Sequence, residues 1–199
     1  NYFIFLDLKS NLNIYDLKDF NLINSIDLNI YIDSEEAYPT SIARIKNNFY
    51  IVYSEGIVLN INLKGELIWL KDLKEIMKTP IKIYNNNLIL LTSNDIISMN
   101  PITGDINWEF SYGNNEILQA MGGDLINLNH ILYFILPDGE AGEINTIFRE
   151  KNNSIFSEYD FEPSINNSLD KLHSFDNTLS YFDQKKYLYS FDIGKNIIL

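Results

Sequence analysis

The chain has 199 residues, 46% hydrophobic and 14% aromatic, enough apolar material for a substantial core and too much for disorder. A formal net charge of −12 repels phosphate backbones, so no nucleic-acid partner is expected, and no Lys/Arg run offers a patch for anionic lipid. The absence of cysteine excludes disulfides, thiolate metal sites and cysteine nucleophiles. No window reaches the roughly 18 apolar residues of a spanning helix. The chain opens at Asn1 rather than Met, so an upstream segment is expected, with a signal peptide or lipid anchor among its possible forms.

In chain order, the sequence reads as short strands separated by polar turns. Residues 1–28, "NYFIFLDLKSNLNIYDLKDFNLINSIDL", supply three runs. Then "TSIARIKNN" opens a longer series, "NFYIVYSEGIVLNINLKGELIW", which ends on Trp69. "TPIKIYNNN" opens the next, "NLILLTSNDIISMNPITGDINW", which ends on Trp108. Asn48 to Gly65 and Asn87 to Gly104 are the same 17-residue interval, and each glycine precedes its tryptophan by four. Glu55-Gly56 and Asn94-Asp95 read as the first turn of each series, Lys64-Gly65 and Thr103-Gly104 as the second, where a positive φ suits a hairpin. The stretch "LKDLKEIMK" from Leu70 has passable helical spacing and reads as a strand end followed by a connecting loop.

The interval returns near the C-terminus, from Asn177 to Gly194, with Ile198 in the tryptophan's place. In the first unit Phe20 and Asn24 take the glycine and tryptophan positions. Between them, "GDLINLNHI" and "LDKLHSFDN" read as further opening strands. Four antiparallel strands recurring about every 40 residues predict an all-β fold, a β-propeller of four-stranded blades. Five units are expected, at 1–30, 42–73, 81–112, 124–161 and 169–199. The first lacks its innermost strand, so a partial ring is expected, part of seven or eight blades, whose missing remainder or a second copy would cover the open edges. A self-contained five-bladed ring is the alternative. The repeat markers Gly65, Trp69, Gly104, Trp108 and Gly194 are structural: each glycine makes the turn into the outermost strand, and each tryptophan covers the neighbouring blade. The dipeptides Phe49-Tyr50, Tyr133-Phe134 and Tyr181-Phe182 send one ring to each neighbour.

Thr79 to Tyr112, with its Thr-Gly-x-x-x-Trp turn and strand, resembles the repeat of the PQQ-like (quinoprotein-type) propellers, and Pro39 to Leu73 does so more weakly. Within that superfamily, the two blades opening on Pro39-Thr40 and Thr79-Pro80 are most similar to the BamB family. That resemblance implies a periplasmic lipoprotein scaffold of the machinery that assembles and inserts outer-membrane β-barrels, with the barrel-forming component as partner. It places partner-binding loops near Tyr31, Asp33 and Ser34 and near Glu75 and Met77. Tyr31 keeps an apolar face and Glu75 an acid. Ser34 stands where the family has arginine, Asp33 replaces an apolar residue and Met77 replaces an acid. An extended strand held along a blade edge is a further expected mode of binding.

No catalytic, cofactor or metal site is expected. The two histidines lack a second ligand at metal spacing: His130 reads as a turn residue at the phase of Asn48 and Asn87, His173 as an inner-strand residue at the phase of Arg44. The acidic stretch with Asp138, Glu140 and Glu143 lacks the ligand series of a calcium loop and reads as a long hairpin turn. "LTSND" is no nucleophile elbow, and "AMGGD" is no phosphate loop. The rival readings are a quinone-dependent oxidoreductase or a ligand-binding sensor using the central channel, and the lumenal propeller of a eukaryotic membrane complex.

Overall fold

The computed structural model describes residues 2–34, 36–112, 123–128, 130–136, 141–146, 150–152, 173–175, 178–182, 188–192 and 197–198. Five antiparallel sheets follow one another along the chain, each a meander whose strands pair in sequence order. The first holds β1 (Tyr2–Leu6), β2 (Asn11–Asp16) and β3 (Leu22–Asp27). A single 3-10 turn, Leu28–Tyr31, follows, capped by the Asp27 carboxylate accepting from the Asn29 amide. The second sheet is β4 (Pro39–Ile45), β5 (Asn48–Tyr53), β6 (Ile57–Asn62) and β7 (Leu67–Asp72). The third is β8 (Lys82–Tyr84), β9 (Asn87–Leu91), β10 (Asp95–Met99) and β11 (Ile106–Ser111). The fourth comprises β12 (Asp124–Leu128), β13 (Ile131–Ile135), β14 (Ala141–Asn145) and β15 (Glu150–Asn152). The fifth comprises β16 (His173–Phe175), β17 (Thr178–Phe182), β18 (Leu188–Asp192) and β19 (Ile197–Ile198). Among the described residues, no helix is long and apolar enough to cross a membrane.

The two middle strands of each sheet explain the sequence pattern. Strands β5, β6, β9 and β10 are buried along nearly their whole length, which only near-continuous apolar runs tolerate. The fourth strands β7 and β11 instead alternate between half-buried and exposed residues. Successive side chains leave a strand on opposite faces, so each sheet feeds two cores. Phe49, Ile51 and Tyr53 join Leu12, Ile14 and Ile26 of the first sheet, whereas Tyr50, Val52 and Val58 join Leu88, Leu90 and Met99 of the third. Phe134 enters a third core with Ile89, Leu91 and Ile96. The sheets therefore stack face to face. Nearest the inner edge, Lys82 of β8 bridges to Asp124 of β12 at 2.9 Å.

Turn geometry keeps the units in phase. In the first three sheets the register slips by one residue at the same place, just before Asn24, Trp69 and Trp108. This bulge rotates the start of the outer strand so that the marker side chain turns inward onto the stack. The equal 17-residue intervals conceal a compensation. The second sheet has five residues between Val52 and Val58 where the third has four between Leu91 and Ile96. It then has five between Ile61 and Leu67 where the third has six between Met99 and Ile106. The spacing is conserved although the turns that make it differ.

Trp69 shows what the interval is for. Its indole Nε1 donates to the Pro101 carbonyl at 3.0 Å, and the fully buried Asn60 amide donates to the same oxygen at 3.2 Å. Pro101 and Gly104 belong to the turn into β11, so the second sheet grips the turn of the third. Gly104 has φ +75°, and a Cβ there would stand 2.8 Å from the indole Cδ2. Glycine is needed for the backbone and for the ring's approach. In the first unit Phe20 takes the turn position with φ 57°, and Ile26, two residues beyond Asn24, packs on Gly65. Asn24 is too short to serve as the cover that tryptophan provides. Trp108 is half-buried against the third core, its ring 5.2 Å from Phe110. The last marker, Gly194, lies outside the described residues.

Trp69→Ala is expected to cost about 3 kcal/mol in urea unfolding, and Trp69→Phe about 1 kcal/mol for the lost indole hydrogen bond. Gly104→Ala is expected to cost more than ~1 kcal/mol through its positive φ and the indole clash. The double variant should be less destabilised than the sum, because removing the indole opens space for the methyl. Strict additivity would show that ring and glycine do not meet.

Candidate functional site

Strands that alternate in direction bring the β5–β6 turn and the connections entering and leaving the second sheet to one end of it. Three segments meet there. Connection 73–78 is stitched to both sides: Leu73 N donates to Gly56 O at 3.1 Å, Met77 N to Ser54 O at 3.0 Å and Lys78 N to Leu91 O at 2.9 Å. The connection preceding β4 is held likewise, with Leu28 N donating to Ser10 O and Ser54 N to Tyr38 O, both at 2.9 Å. Gly56, at φ +87°, lets the first turn lie against the connection; a Cβ there would sit 2.3 Å from Glu75 O.

These segments bound a groove of about 450 Å³ lined by Asp33, Ser34, Glu55, Ile57, Asp72, Lys74, Glu75 and Ile76. Four carboxylates surround one ammonium, and Ile76 is 42% exposed. Ser34 Oγ donates to Glu55 Oε2 at 3.0 Å, tying the two sides together. Three of the five partner residues expected from sequence, Asp33, Ser34 and Glu75, thus come together. The other two do not. Met77 is 3% exposed, in the core between the second and third sheets, and forms a lone bridge with Thr92. Its side chain cannot meet a partner, because the connection alternates and turns Ile76 outward in its place. Tyr31 donates its hydroxyl to Gly65 O at 2.9 Å and packs on the first core, in a separate depression beside the β6–β7 turn.

Glu75 carries the distinctive electrostatics. Its Oε2 meets the Thr92 hydroxyl, which also lies 3.0 Å from the Asp95 carbonyl. Burial, and next the neighbouring Asp95 carboxyl, push the Glu75 pKa above its ordinary 4.5, against the hydrogen bond from Thr92.

No protein-family model matches the sequence, and no curated protein matches it. The fold does find counterparts. The crystal structure of BamB from Moraxella catarrhalis superposes with a TM-score of 0.73 over 100% of this chain, at 13% identity. The fold is a β-propeller. The computationally designed Ika4 protein also matches, with a TM-score of 0.60 at 13% identity, over 82% of this chain and 96% of that one. This chain spans 60% of the BamB chain. At 13% identity the likeness is one of fold, and the sheets described above are the blades of that propeller.

The blade register corrects several sequence placements. Ile131, not His130, stands at the phase of Asn48 and Asn87; His130 is the second residue of the turn, with φ 69°, its Nδ1 3.1 Å from the Tyr84 hydroxyl of the preceding blade. In the fifth blade Thr178 rather than Asn177 pairs across the first turn, so His173 takes the place of Ala43 rather than Arg44. Glu143 is not in a turn. It lies on β14 opposite Tyr133, whose pKa is pushed up to about 12 by burial and then by the Glu143 charge. Asp138 and Glu140 lie outside the described residues, as do residues 120–122; Gly123 has φ +89° just ahead of β12. Among the described residues, no group of three His, Asp or Glu is arranged to hold a metal ion. Sequence reasoning missed Glu55, Asp72, Lys74 and Ile76 as groove residues. Glu55 was visible only as a turn residue, and nothing local shows which loops converge.

Two expectations follow. Met77→Ala should lower stability by about 3 kcal/mol, while Ile76→Ser stays within ~0.5 kcal/mol, in chemical denaturation. The folded chain binds the Glu75 proton more tightly than the unfolded one, so this group's contribution to stability falls as pH rises above 4.5. Glu75→Gln, which cannot titrate, should therefore gain thermal stability relative to the parent between pH 4.5 and neutrality. A difference that stays flat over that range removes the account.

Proposed function

We propose that this chain is a non-enzymatic protein-binding scaffold, a rigid propeller presenting the loops at one end of its blades to a protein partner. We take its work to be of the BamB kind: support of the assembly and insertion of β-barrel proteins, on the periplasmic side of the outer membrane, through the barrel-forming component of that machinery. The observation that carries this reading is the groove, where Asp33, Ser34 and Glu75 from two successive inter-blade connections meet around an exposed Ile76. An apolar side chain ringed by charges on hydrogen-bonded loops is the build of a contact surface, with little ordering cost on binding. The fold likeness to BamB supports the same reading. The five units, read as part of a seven- or eight-bladed ring, would hold these loops in fixed relation.

The test is capture of partners by the full-length protein, with and without groove substitutions. Reversing charge at Asp33 to lysine should weaken capture of barrel-assembly components by about tenfold while leaving the circular dichroism and melting temperature unchanged. Failure to recover any such component removes the BamB-type assignment and leaves the scaffold reading standing. A thermal shift with pyrroloquinoline quinone and Ca²⁺, together with dye-linked turnover, would overturn the scaffold reading in favour of an oxidoreductase.

A further inference from the structure

The seam between the first and second sheets lacks the side chain that closes the next seam. Between the second and third sheets, Trp69 stands just past the bulge, paired with Asn60, and the indole Nε1 and the Asn60 amide both donate to Pro101 O. The bulge between β2 and β3 falls at the same place, so Asn24, paired with Ile14, stands where Trp69 stands. The acceptor is retained. In each turn an asparagine Oδ1 accepts from the amide two residues on, Asn62 from Lys64 N and Asn100 from Ile102 N, both at 2.8 Å. Leu63 O therefore follows its asparagine as Pro101 O follows Asn100. Ile14 has no polar hydrogen and the indole is gone, so Leu63 O has lost both donors that Pro101 O receives.

A depression of about 410 Å³ lies at this seam, lined among others by Asn24, Ile26, Ile30, Tyr31, Lys64 and Gly65. Its walls, β3 with the turn that follows it and the β6–β7 turn, belong to two sheets that share one core. Ile26 closes only the glycine end, where a Cβ on Gly65 would lie 2.9 Å from Ile26 Cγ2. The Tyr31 hydroxyl donates to Gly65 O at 2.9 Å and so fixes its ring as part of the wall. Ile30, 70% exposed, forms an open rim. The rim carboxylates are engaged locally: Asp27 accepts from Asn29 N at 2.9 Å and Glu66 from Asn62 Nδ2 at 2.6 Å. Two isoleucines and a tyrosine ring offer contact for a flat ring, Leu63 O offers an acceptor for a ring N–H, and Lys64 brings a cation that can lie over the ring face.

We propose that the depression at Asn24 binds a tryptophan side chain presented by a partner polypeptide, with its ring against Ile26, Ile30 and Tyr31 and its indole N–H donating to Leu63 O. Trp69 is the template within the same molecule: the second seam is filled from its own β7, and the first takes its indole from outside. A strand-borne tryptophan suits the open rim, because Trp69 also enters its seam from a strand that runs along the outside. The site lies at the β6–β7 end of the second sheet, away from the acidic groove at the β5–β6 end, and does not rest on the function proposed for that groove.

The probe is a fluorescein-labelled peptide, Gly-Ser-Trp-Ser-Gly, titrated against the 199-residue chain by anisotropy. Saturable binding is expected, weakened about fivefold when phenylalanine replaces the tryptophan and lost when alanine does. Asn24→Trp should fill the depression from within and abolish peptide binding without lowering the melting temperature. Ile30→Ser, at an exposed position, should weaken binding about threefold with an unchanged melting curve. A diazirine-bearing tryptophan in the peptide should crosslink to residues 24–31 or 63–66. No saturable binding, equal affinity for the alanine peptide, full affinity in Asn24→Trp or Ile30→Ser, or crosslinks confined to other residues would overturn the proposal. Free indole binding more tightly than the peptide would overturn the assignment to a polypeptide partner.

Discussion

Face-to-face burial between successive sheets is the constraint on which the rest of the structure depends. Among the described residues each core is shared between neighbouring sheets; Phe49 and Tyr50, adjacent in sequence, belong to different cores because a strand sends neighbours to opposite sides. Stability is thus a property of interfaces between blades, and each needs its two faces in register. The contact of Trp69 with the turn at Pro101 and Gly104 holds that register between the second and third sheets. A large ring covers the surface, one hydrogen bond fixes its orientation, and a glycine lets it approach.

The same architecture places the candidate site. Loops at one end of a blade are short and tied to neighbouring turns by backbone hydrogen bonds, so connection 73–78 spans two blades as part of the scaffold. Side chains on such a connection divide by alternation: Ile76 faces out and Met77 faces the core. The resulting groove is acidic and partly apolar, and one of its acids, Glu75, is also part of the seam between two blades through Thr92 and Asp95. The groove at Glu75 and the hold between the second and third blades are therefore physically linked.

The first blade carries the same pattern on its first strand. Phe3 and Phe5 keep the aromatic character of an inter-blade face and are half exposed, and the positions facing them from within the sheet differ from those of the second blade. Asn13 lies where the second blade has Leu59, and its amide is occupied by bonds to Asn11 O and Ser25 Oγ.

The sequence by itself determined the all-β class, the pairing of Gly104's turn with Trp69, and the two-sided use of Phe49 and Tyr50. These are local consequences of strand alternation and of φ > 0 at a turn, both written in neighbouring residues. Its equal 17-residue intervals hold in the second and third sheets even though one-residue differences in two turns cancel within them. Where no such cancellation held, as at His130 and His173, the phase slipped by one. Only the tertiary structure decided that Asp33, Ser34 and Glu75 share a groove while Met77 enters the core and Tyr31 binds Gly65. Those facts depend on which loops the stacked sheets bring together and on which side of a connection faces inward. Both are set by contacts between residues far apart in the chain.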